Sequence, residues 1–397
     1  MKYFFVLGTN PALSLAELQA VLNLKNPDLI GADFLIADIA GEIVPTNLIT
    51  KLGGTIKIGL IKKEIKATNK TEELLNIVSK LALEKKQACP TGKFNFGFSD
   101  YGNYYFNKKD LGIKLKKYFK DKKINSRFVV SQEKTLSSVV VTQNKLLTRG
   151  IEIVLAEKNK QIFIGETLAV QPFKDLSRRD FGRPARDDQS GMLPPKLAQI
   201  MINLAQVNNP HDLIVDPFCG SGTILSEAIL MEHKNIFGSD ISIKAIDDTK
   251  KNISWIKELY DKQDIKMKFL VKNVLDLSKV LKTESVQAII TEPYLGPQRG
   301  QLNLVIIIKE LEHLYSGALK EFKEILKSGK RVVMVWPLFY GNKAINPNIS
   351  GFKIKNFFPS NLIENEFIKK HCSSRQTIIY GRAGQKVFRE IVVLEKE

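Results

Sequence analysis

Two short stretches of the chain carry residue types that could do chemistry. The first is Asp216-Pro217-Phe218-Cys219-Gly220-Ser221-Gly222-Thr223, preceded by an apolar run at 213–215 and followed by apolar residues at helical spacing over 224–230. That order reads as strand, glycine turn, helix. At the carboxyl end of a strand in a doubly wound sheet such a turn borders a crevice, and glycines let the backbone approach a nucleoside closely. A second strand pattern, 236–240, ends in Asp240, 18 residues after Gly222, where a carboxylate takes ribose hydroxyls. A dinucleotide fingerprint requires a third glycine at position 225, but Leu225 stands there. This points away from NAD and FAD and toward a nucleoside without a pyrophosphate, S-adenosylmethionine. The candidate cofactor residues are Asp216, Pro217, Cys219, Gly220, Gly222, Thr223, Asp240, Ile241 and Asn273; Asn273 follows a third strand pattern at 265–271, either accepting an adenine amine or serving as a turn residue.

The second stretch is Thr291-Glu292-Pro293-Tyr294, at the end of an apolar run at 286–290. A polar group, a proline and an aromatic ring at a strand end suit methylation of an exocyclic amine on a base. Such an amine is a poor nucleophile because its lone pair is delocalised into the ring. Acceptors aimed at its hydrogens favour a pyramidal nitrogen, while Tyr294 stacks on the base. Thr291, Glu292, Pro293 and Tyr294 are therefore the candidate catalytic residues, with a simple proline turn at a strand end as the alternative, and this chemistry calls for no metal.

These stretches need elements to position them. The alternation of apolar runs and helical stripes predicts an α/β protein. Residues 1–60 read as a small α/β unit: a strand at 3–7, a helix opened by the capping box Ser14-Leu15-Ala16-Glu17, strands at 34–37 and 55–61, and Gly53-Gly54 as a turn. Residues 61–170 add an amphipathic helix at 71–86, a strand carrying Phe94, Phe96 and Phe98, and further strands at 128–130, 138–141, 151–156 and 162–164. Between Lys108 and Arg127 nine basic residues face two acids, on a helix whose buried stripe is Leu111, Leu115, Tyr118 and Phe119. A basic helix face beside aromatic strands suits an RNA backbone, and a plain solvated face is the alternative reading. Residues 171–190 form an arginine-rich connector, in which Arg178, Arg179, Arg183 and Arg186 serve as interdomain salt bridges or as phosphate contacts. Residues 191–397 open with a helix at Pro194-Pro195 and continue as the doubly wound sheet, with a helix over 305–326, a strand at 332–335 and a terminal pair at 378–380 and 391–394. His371, Cys372, Arg375 and Arg382 read as surface or turn residues.

At 397 residues the chain is long enough for two or three cores. The formal charge of +18 favours a polyanionic partner, since neutralised phosphates supply most sequence-independent nucleic-acid affinity; a solubilising surface is the alternative. Cys89, Cys219 and Cys372 lie far apart, without metal-ligand or disulfide spacing, as suits a reducing cytosol. No apolar run approaches the ~20 residues that span a bilayer, so no membrane association is expected.

Taken together, Asp216 to Thr223, Gly238-Ser239-Asp240 and Thr291 to Tyr294 resemble the S-adenosylmethionine-dependent amino methyltransferases of nucleic acid. Arg183-Pro184, Gly191-Met192-Leu193-Pro194-Pro195-Lys196-Leu197-Ala198, Leu52-Gly53-Gly54-Thr55 and Ile164-Gly165-Glu166-Thr167-Leu168 narrow the likeness to the THUMP-containing tRNA guanine-N2 methyltransferases that modify guanosine 10. The resemblance covers nearly the whole chain. It implies a ferredoxin-like domain at 1–60, a THUMP domain at 61–170 that grips the tRNA acceptor end, a linker at 171–190 and a Rossmann-like methyltransferase domain at 191–397. It further implies a cytoplasmic enzyme, a monomer, and in some relatives a small zinc-binding activator subunit. The family's fourth motif is Asp-Pro-Pro-Tyr or its Asn form. Here either Glu292 replaces the acid and a proline is missing, or Thr291 takes the acid's place and Glu292 that of the first proline. The rival expectations are an amino methyltransferase of ribosomal RNA or DNA, and an RNA-binding protein whose transferase site has decayed.

Overall fold

The computed structural model describes the chain except for residues 67–70, 103–105, 187–191, 298–302 and 383. Two sheets organise the chain. The first contains β1 (Lys2–Leu7), β2 (Lys25–Ile30), β3 (Phe34–Asp38), β4 (Thr55–Lys66), β5 (Phe94–Gly102), β6 (Ser126–Val129), β7 (Gly150–Lys158) and β8 (Gln161–Val170), in the order β2-β3-β1-β4-β8-β7-β5-β6. It is one continuous sheet: β4 pairs with β1 along one side and β8 along the other, running through residues 60 and 61. Helices α1 (Pro11–Leu22), α2 (Pro45–Lys51), α3 (Thr71–Ala88), α4 (Lys108–Asp121) and α5 (Ser138–Gln143) complete this half. Phe94, Phe96 and Phe98 all lie in the core that α3 and α4 cover, with Leu111, Leu115 and Phe119. The basic side of α4 is thereby left outward.

Two local expectations are corrected. Helix α1 starts three residues before Ser14, capped by Asn10, whose Oδ1 accepts from the Leu13 N–H at 3.1 Å. Proline at the first helical position sets this start, because its missing N–H is one that no helix satisfies. Ser14 and Glu17 thus sit inside the helix and are free to bond elsewhere. The run at 138–141 is helical, since Ser137 caps it through the Val140 N–H at 3.2 Å, and only Val141 of the apolar residues is buried. A capped turn outweighs the β-preference of three valines that have no strand partner.

The connector begins as helix α6 (Phe173–Phe181). Its end at 187–190, and Gly191 of the motif that follows, lie outside the described residues. Then come α7 (Pro195–Ala205), β9 (Ile214–Asp216), α8 (Thr223–Leu230), β10 (Asn235–Asp240), α9 (Ile243–Leu259), β11 (Lys266–Val271), a 3-10 turn at Val274–Lys279, β12 (Val286–Thr291), α10 (Leu304–Ile325), β13 (Leu326–Phe339), β14 (Lys343–Ala344), β15 (Phe352–Ile354), α11 (Glu366–Lys369), β16 (Ile378–Tyr380) and β17 (Val387–Lys396). The second sheet runs β11-β10-β9-β12-β13-β17-β15. Its first five strands are parallel and β17 is antiparallel to β13. The strand order reverses between β9 and β12, the switch point at which open sheets of this kind bind ligands. No helix among the described residues is long and apolar enough to cross a membrane.

Candidate active site

The loop after β9 is held almost entirely through its backbone. The Asp240 carboxylate, one strand away, accepts from the Gly220 N–H at 3.0 Å and from the Ser242 N–H at 2.9 Å. The Thr249 hydroxyl donates to the Gly220 carbonyl at 2.8 Å, and the Asn252 amide donates to the Ser221 carbonyl at 2.8 Å. Gly220 and Gly222 have φ of +51° and +82°, a region that side-chain-bearing residues rarely adopt. A Cβ on Gly220 would meet nothing within 4 Å, so the loop presents open backbone toward the crevice. Leu225 is fully buried, and its methyl would lie 2.6 Å from a Cβ on Gly238 of β10. The close helix-to-strand packing that a third loop glycine gives a dinucleotide fold is supplied here by a glycine on the strand.

Around this loop the sheet's carboxyl edge is unusually apolar and exposed. Ile241 is 73% exposed, Leu275 40% and Tyr294 60%. Asn273 caps the 3-10 turn, its Oδ1 accepting from the Leu275 N–H at 3.0 Å, so its side-chain oxygen has a turn partner. Cys219 is buried, and burial raises its thiol, which makes it a packing residue rather than a nucleophile. Pro217 lies inside the sheet edge. Asp240's carboxylate keeps lone pairs beyond its two backbone bonds, Gly220 opens the backbone, and Ile241 offers an apolar face. A ribose diol and a purine ring fit this donor set and surface.

Asp216 is 2% exposed, and burial raises its carboxyl to about 7. Its Oδ1 accepts from the Thr291 hydroxyl at 2.7 Å and from the Phe218 N–H at 3.3 Å. The two sequence stretches therefore meet at one hydrogen bond across the switch point. Thr291 is wholly buried at the end of β12. Glu292 turns away from it and pairs with Arg389 of β17, Nε to Oε1 at 2.5 Å, both side chains less than one-fifth exposed. Burial raises the Glu292 carboxyl and Arg389 opposes that rise. Pro293 is buried, while the exposed Tyr294 ring faces out and its carbonyl accepts from the buried Tyr315 hydroxyl at 3.1 Å. Thr291, Pro293 and Tyr294 thus stand at the switch point, and Glu292 acts from behind them.

Several contributors were invisible in the sequence. Arg389 is 97 positions from Glu292 and sits in an alternating strand like any other. Thr249 and Asn252 carry no motif. The connector's arginines resolve into two groups. Arg179 is buried and bidentate to Glu227 of α8, at 2.8 and 3.1 Å, and Arg183 donates to the Thr223 hydroxyl at 2.6 Å, so both are structural contacts to α8. Arg178 and Arg186 are exposed. Arg375, read as a surface residue, pairs with the buried Glu390 at 3.0 Å and covers the Trp336 ring. Among the described residues no group of three or more His, Cys, Asp or Glu side chains is placed to hold a metal.

A mostly parallel sheet with β17 antiparallel to β13, and a glycine loop, an acid and a Pro-Tyr turn around its switch point, define a Rossmann-like methyltransferase. Two family models agree. One, described as RMKL-like, methyltransferase domain, matches residues 183–357, and one described as DNA methylase matches residues 50–251, half of the chain. The chain belongs to this second family, the N6/N4 amino methyltransferases. Among curated proteins it is similar to the tRNA (guanine(10)-N2)-dimethyltransferase of Pyrococcus abyssi, 23% identical over 89% of this chain and 93% of that one. It is likewise similar to the protein of the same name from Methanocaldococcus jannaschii, 26% identical over 83% of this chain and 89% of that one. Its fold is that of the crystal structure of TrmN from Thermus thermophilus, with a TM-score of 0.54 at 17% identity over the whole of both chains.

Proposed function

We propose that this chain is an S-adenosylmethionine-dependent tRNA methyltransferase that modifies the N2 amine of a guanosine, at position 10. One observation carries the reading: the glycine loop with Asp240 at the edge of β9 and β10 and the Thr-Glu-Pro-Tyr turn of β12 meet at one switch point. The likeness to two guanine-10 methyltransferases over most of the chain supports the substrate. In this reading residues 1–60 are a ferredoxin-like domain, 61–170 a THUMP domain, 171–190 a linker and 191–397 the catalytic domain, in a cytosolic enzyme that acts on tRNA.

The donor supplies a methyl group on a positively charged sulfur. Asp240 and Ile241 would hold its ribose and adenine, Gly220 and Gly222 would let the backbone come close, and Asn273, Cys219, Pro217 and Thr223 would shape the walls. Thr291 spends its proton on Asp216, which fixes the first strand end against the fourth. Tyr294 stacks on the target base, and the carbonyls flanking Pro293 accept the hydrogens of the amine as its nitrogen becomes pyramidal. Glu292 positions this turn through Arg389. The basic surface of α4, where a cavity of about 670 Å³ is lined by Lys116, Lys117, Lys120 and Lys123, takes phosphates. Incubation of a tRNA transcript with labelled S-adenosylmethionine, followed by nucleoside mass spectrometry, tests this. N2-methylated guanosine is expected; methylated adenosine or cytidine as the product overturns the substrate assignment.

A second reading has one specific observation behind it: both side chains at the acid's position are engaged inward, Thr291 with Asp216 and Glu292 with Arg389. That fits an RNA-binding protein whose transferase site has decayed. Calorimetry with S-adenosylmethionine separates the two, since a decayed site binds no donor.

A further inference from the structure

Methylation leaves an amine nitrogen with a hydrogen that it must give up. A backbone carbonyl orients that hydrogen but is too weak a base to keep it as a proton, whereas a carboxylate can. Of the candidate site residues, Asp216, Asp240 and Glu292 carry one. Asp240 is engaged on both oxygens, Oδ2 by the Gly220 N–H and Oδ1 by the Ser242 N–H. Glu292 is paired with Arg389 behind the turn. Asp216 differs from both. Its bonds from the Thr291 hydroxyl at 2.7 Å and the Phe218 N–H at 3.3 Å end on the same oxygen, Oδ1. Among the described residues none donates to Oδ2 and no cation pairs with the carboxylate. Asp216 is the last residue of β9, and Thr291, the last of β12, opens the Thr-Glu-Pro-Tyr turn across the switch point.

We propose that Asp216 is a catalytic residue, the acceptor of the proton that the target amine loses, with Oδ2 as the receiving atom and Thr291 as the positioning residue that holds Oδ1. The amine's lone pair forms its bond to the methyl carbon as the carbon–sulfur bond breaks and leaves its electron pair on sulfur. One N–H bond breaks, its electron pair returns to nitrogen, and the proton passes to Oδ2. A sulfonium cation and a carboxylate anion give way to a neutral thioether and a neutral acid, so no charge is created in the crevice. The proton leaves to water when the products depart. Burial, with like charge from Asp240 of β10 and Glu292 beyond β12, raises the Asp216 carboxyl to about 7, while the Thr291 and Phe218 bonds favour its charged form. The neighbouring Cys219 thiol is itself raised by burial. A positive sulfur nearby favours the carboxylate before transfer, and a neutral sulfur afterwards favours the acid. Asp216 thus gains basicity at the moment the nitrogen has a proton to lose. The carboxylate that Thr291 lacks on β12 is supplied from β9, one strand away. This inference rests on the amino methyltransferase reading given above.

The test compares wild type with Asp216→Asn and Thr291→Val on a tRNA transcript. Single-turnover methylation by wild type is expected to rise with pH and to level off at pH ~7 or below, since only the carboxylate accepts a proton. In Asp216→Asn the rate drops about a hundredfold and loses this dependence, while affinity for S-adenosylmethionine stays within about twofold. Thr291→Val removes a bond that favours the charged form, so its plateau moves to higher pH. Calorimetry at pH ~7, in buffers of different ionisation heat, reads the same group without turnover. Wild type is expected to release part of a proton on binding S-adenosylmethionine and none on binding S-adenosylhomocysteine, whose sulfur is neutral; Asp216→Asn releases none with either. Turnover in Asp216→Asn within about threefold of wild type overturns the inference. So does a loss that lies wholly in donor affinity, which makes Asp216 a ligand of the donor. Equal proton release in wild type and Asp216→Asn, or an unshifted pH profile in Thr291→Val, overturns it as well. A wild type that binds no donor or methylates no RNA defeats the function reading and this inference with it, whereas each of the other failures leaves wild type active.

Discussion

The loop after β9 and the turn after β12 leave the same edge of one sheet and meet at the bond between Thr291 and Asp216, but they are held in opposite ways. The β9 loop is tied by side chains that reach its backbone: Asp240 to the Gly220 N–H, Thr249 to the Gly220 carbonyl, Asn252 to the Ser221 carbonyl. The β12 turn is tied by a side chain of its own, Glu292, to Arg389 of β17, with one further bond from the Tyr315 hydroxyl to the Tyr294 carbonyl. A loop held by its backbone leaves its glycines exposed to a ligand and tolerates changes in its own side chains. A turn held by a charge pair depends on two residues at once, and neither can change alone. In the function proposed above, this difference makes the donor side the robust half of the site and the base side the fragile half.

The sharpest way to break the comparison is at Arg389. Arg389→Ala leaves the Glu292 carboxylate largely buried without its partner, which costs about 3–5 kcal/mol when one member of a buried pair is removed. The Tyr294 turn loses its ionic tether and keeps only the Tyr315 bond, and turnover is expected to fall by about a hundredfold or more, while donor affinity stays within about twofold. Thermal melts, calorimetry with S-adenosylmethionine and steady-state methylation measure the three. Adding Glu292→Gln to Arg389→Ala should recover much of the stability, since no unpaired charge remains, but little of the turnover. Full turnover in Arg389→Ala would show that the turn needs no such tether.

The same contrast explains what could be read in the sequence. The parallel sheet, the acid at 240 and the loop glycines were legible because they depend on local order: apolar run, glycines at φ above zero, a carboxylate one strand later. Leu225 in place of a third glycine was a correct sign, although Gly238, on the neighbouring strand, carries the packing that completes it. The roles at 291–294 were not legible, because the pairing of Glu292 with Arg389 depends on how β13 and β17 are registered. Likewise Ser14 and Glu17 carried the signature of a capping box, and Pro11 moved the helix start so that both turned to Gly53 and Gly54. The connector arginines were undecidable from composition, because burial alone separates Arg179 and Arg183 from Arg178 and Arg186.

Asp216, where the two regions touch, should show its state in the pH dependence of stability. Its carboxyl is raised from 3.8 to about 7, chiefly by burial. The folded protein therefore holds this proton more tightly than the unfolded chain does. Between pH ~4 and ~7 the unfolded state has already released it, so folding stability falls as pH rises through this window and levels off above it. Both donors, Thr291 and Phe218, go to Oδ1, so Asp216→Asn retains an oxygen for each and mimics the neutral acid. The variant should match wild type near pH 4 and exceed it increasingly up to pH ~7, by at most roughly 4 kcal/mol from the size of the shift. A difference between the two melting curves that stays constant across this range would show that Asp216 is ionised throughout.

The smallest effects separate the two loop glycines. Gly222→Ala forces a side chain to φ of +82° and brings its Cβ to 3.0 Å from the Thr249 hydroxyl, which holds the loop. Strain of about 1–3 kcal/mol is expected, with donor affinity falling alongside stability. Gly220→Ala meets no neighbour, so its cost in stability is only that of the left-handed backbone, about 1 kcal/mol. Its methyl, however, projects into the open space over the loop. If a nucleoside approaches the backbone there, donor affinity should fall at least about tenfold in Gly220→Ala despite the milder loss of stability, a divergence that melts and calorimetry resolve directly. Unchanged affinity in Gly220→Ala would mean that the ligand rests on Asp240 and Ile241 without touching the glycine turn, and that the openness of this loop serves its conformation alone.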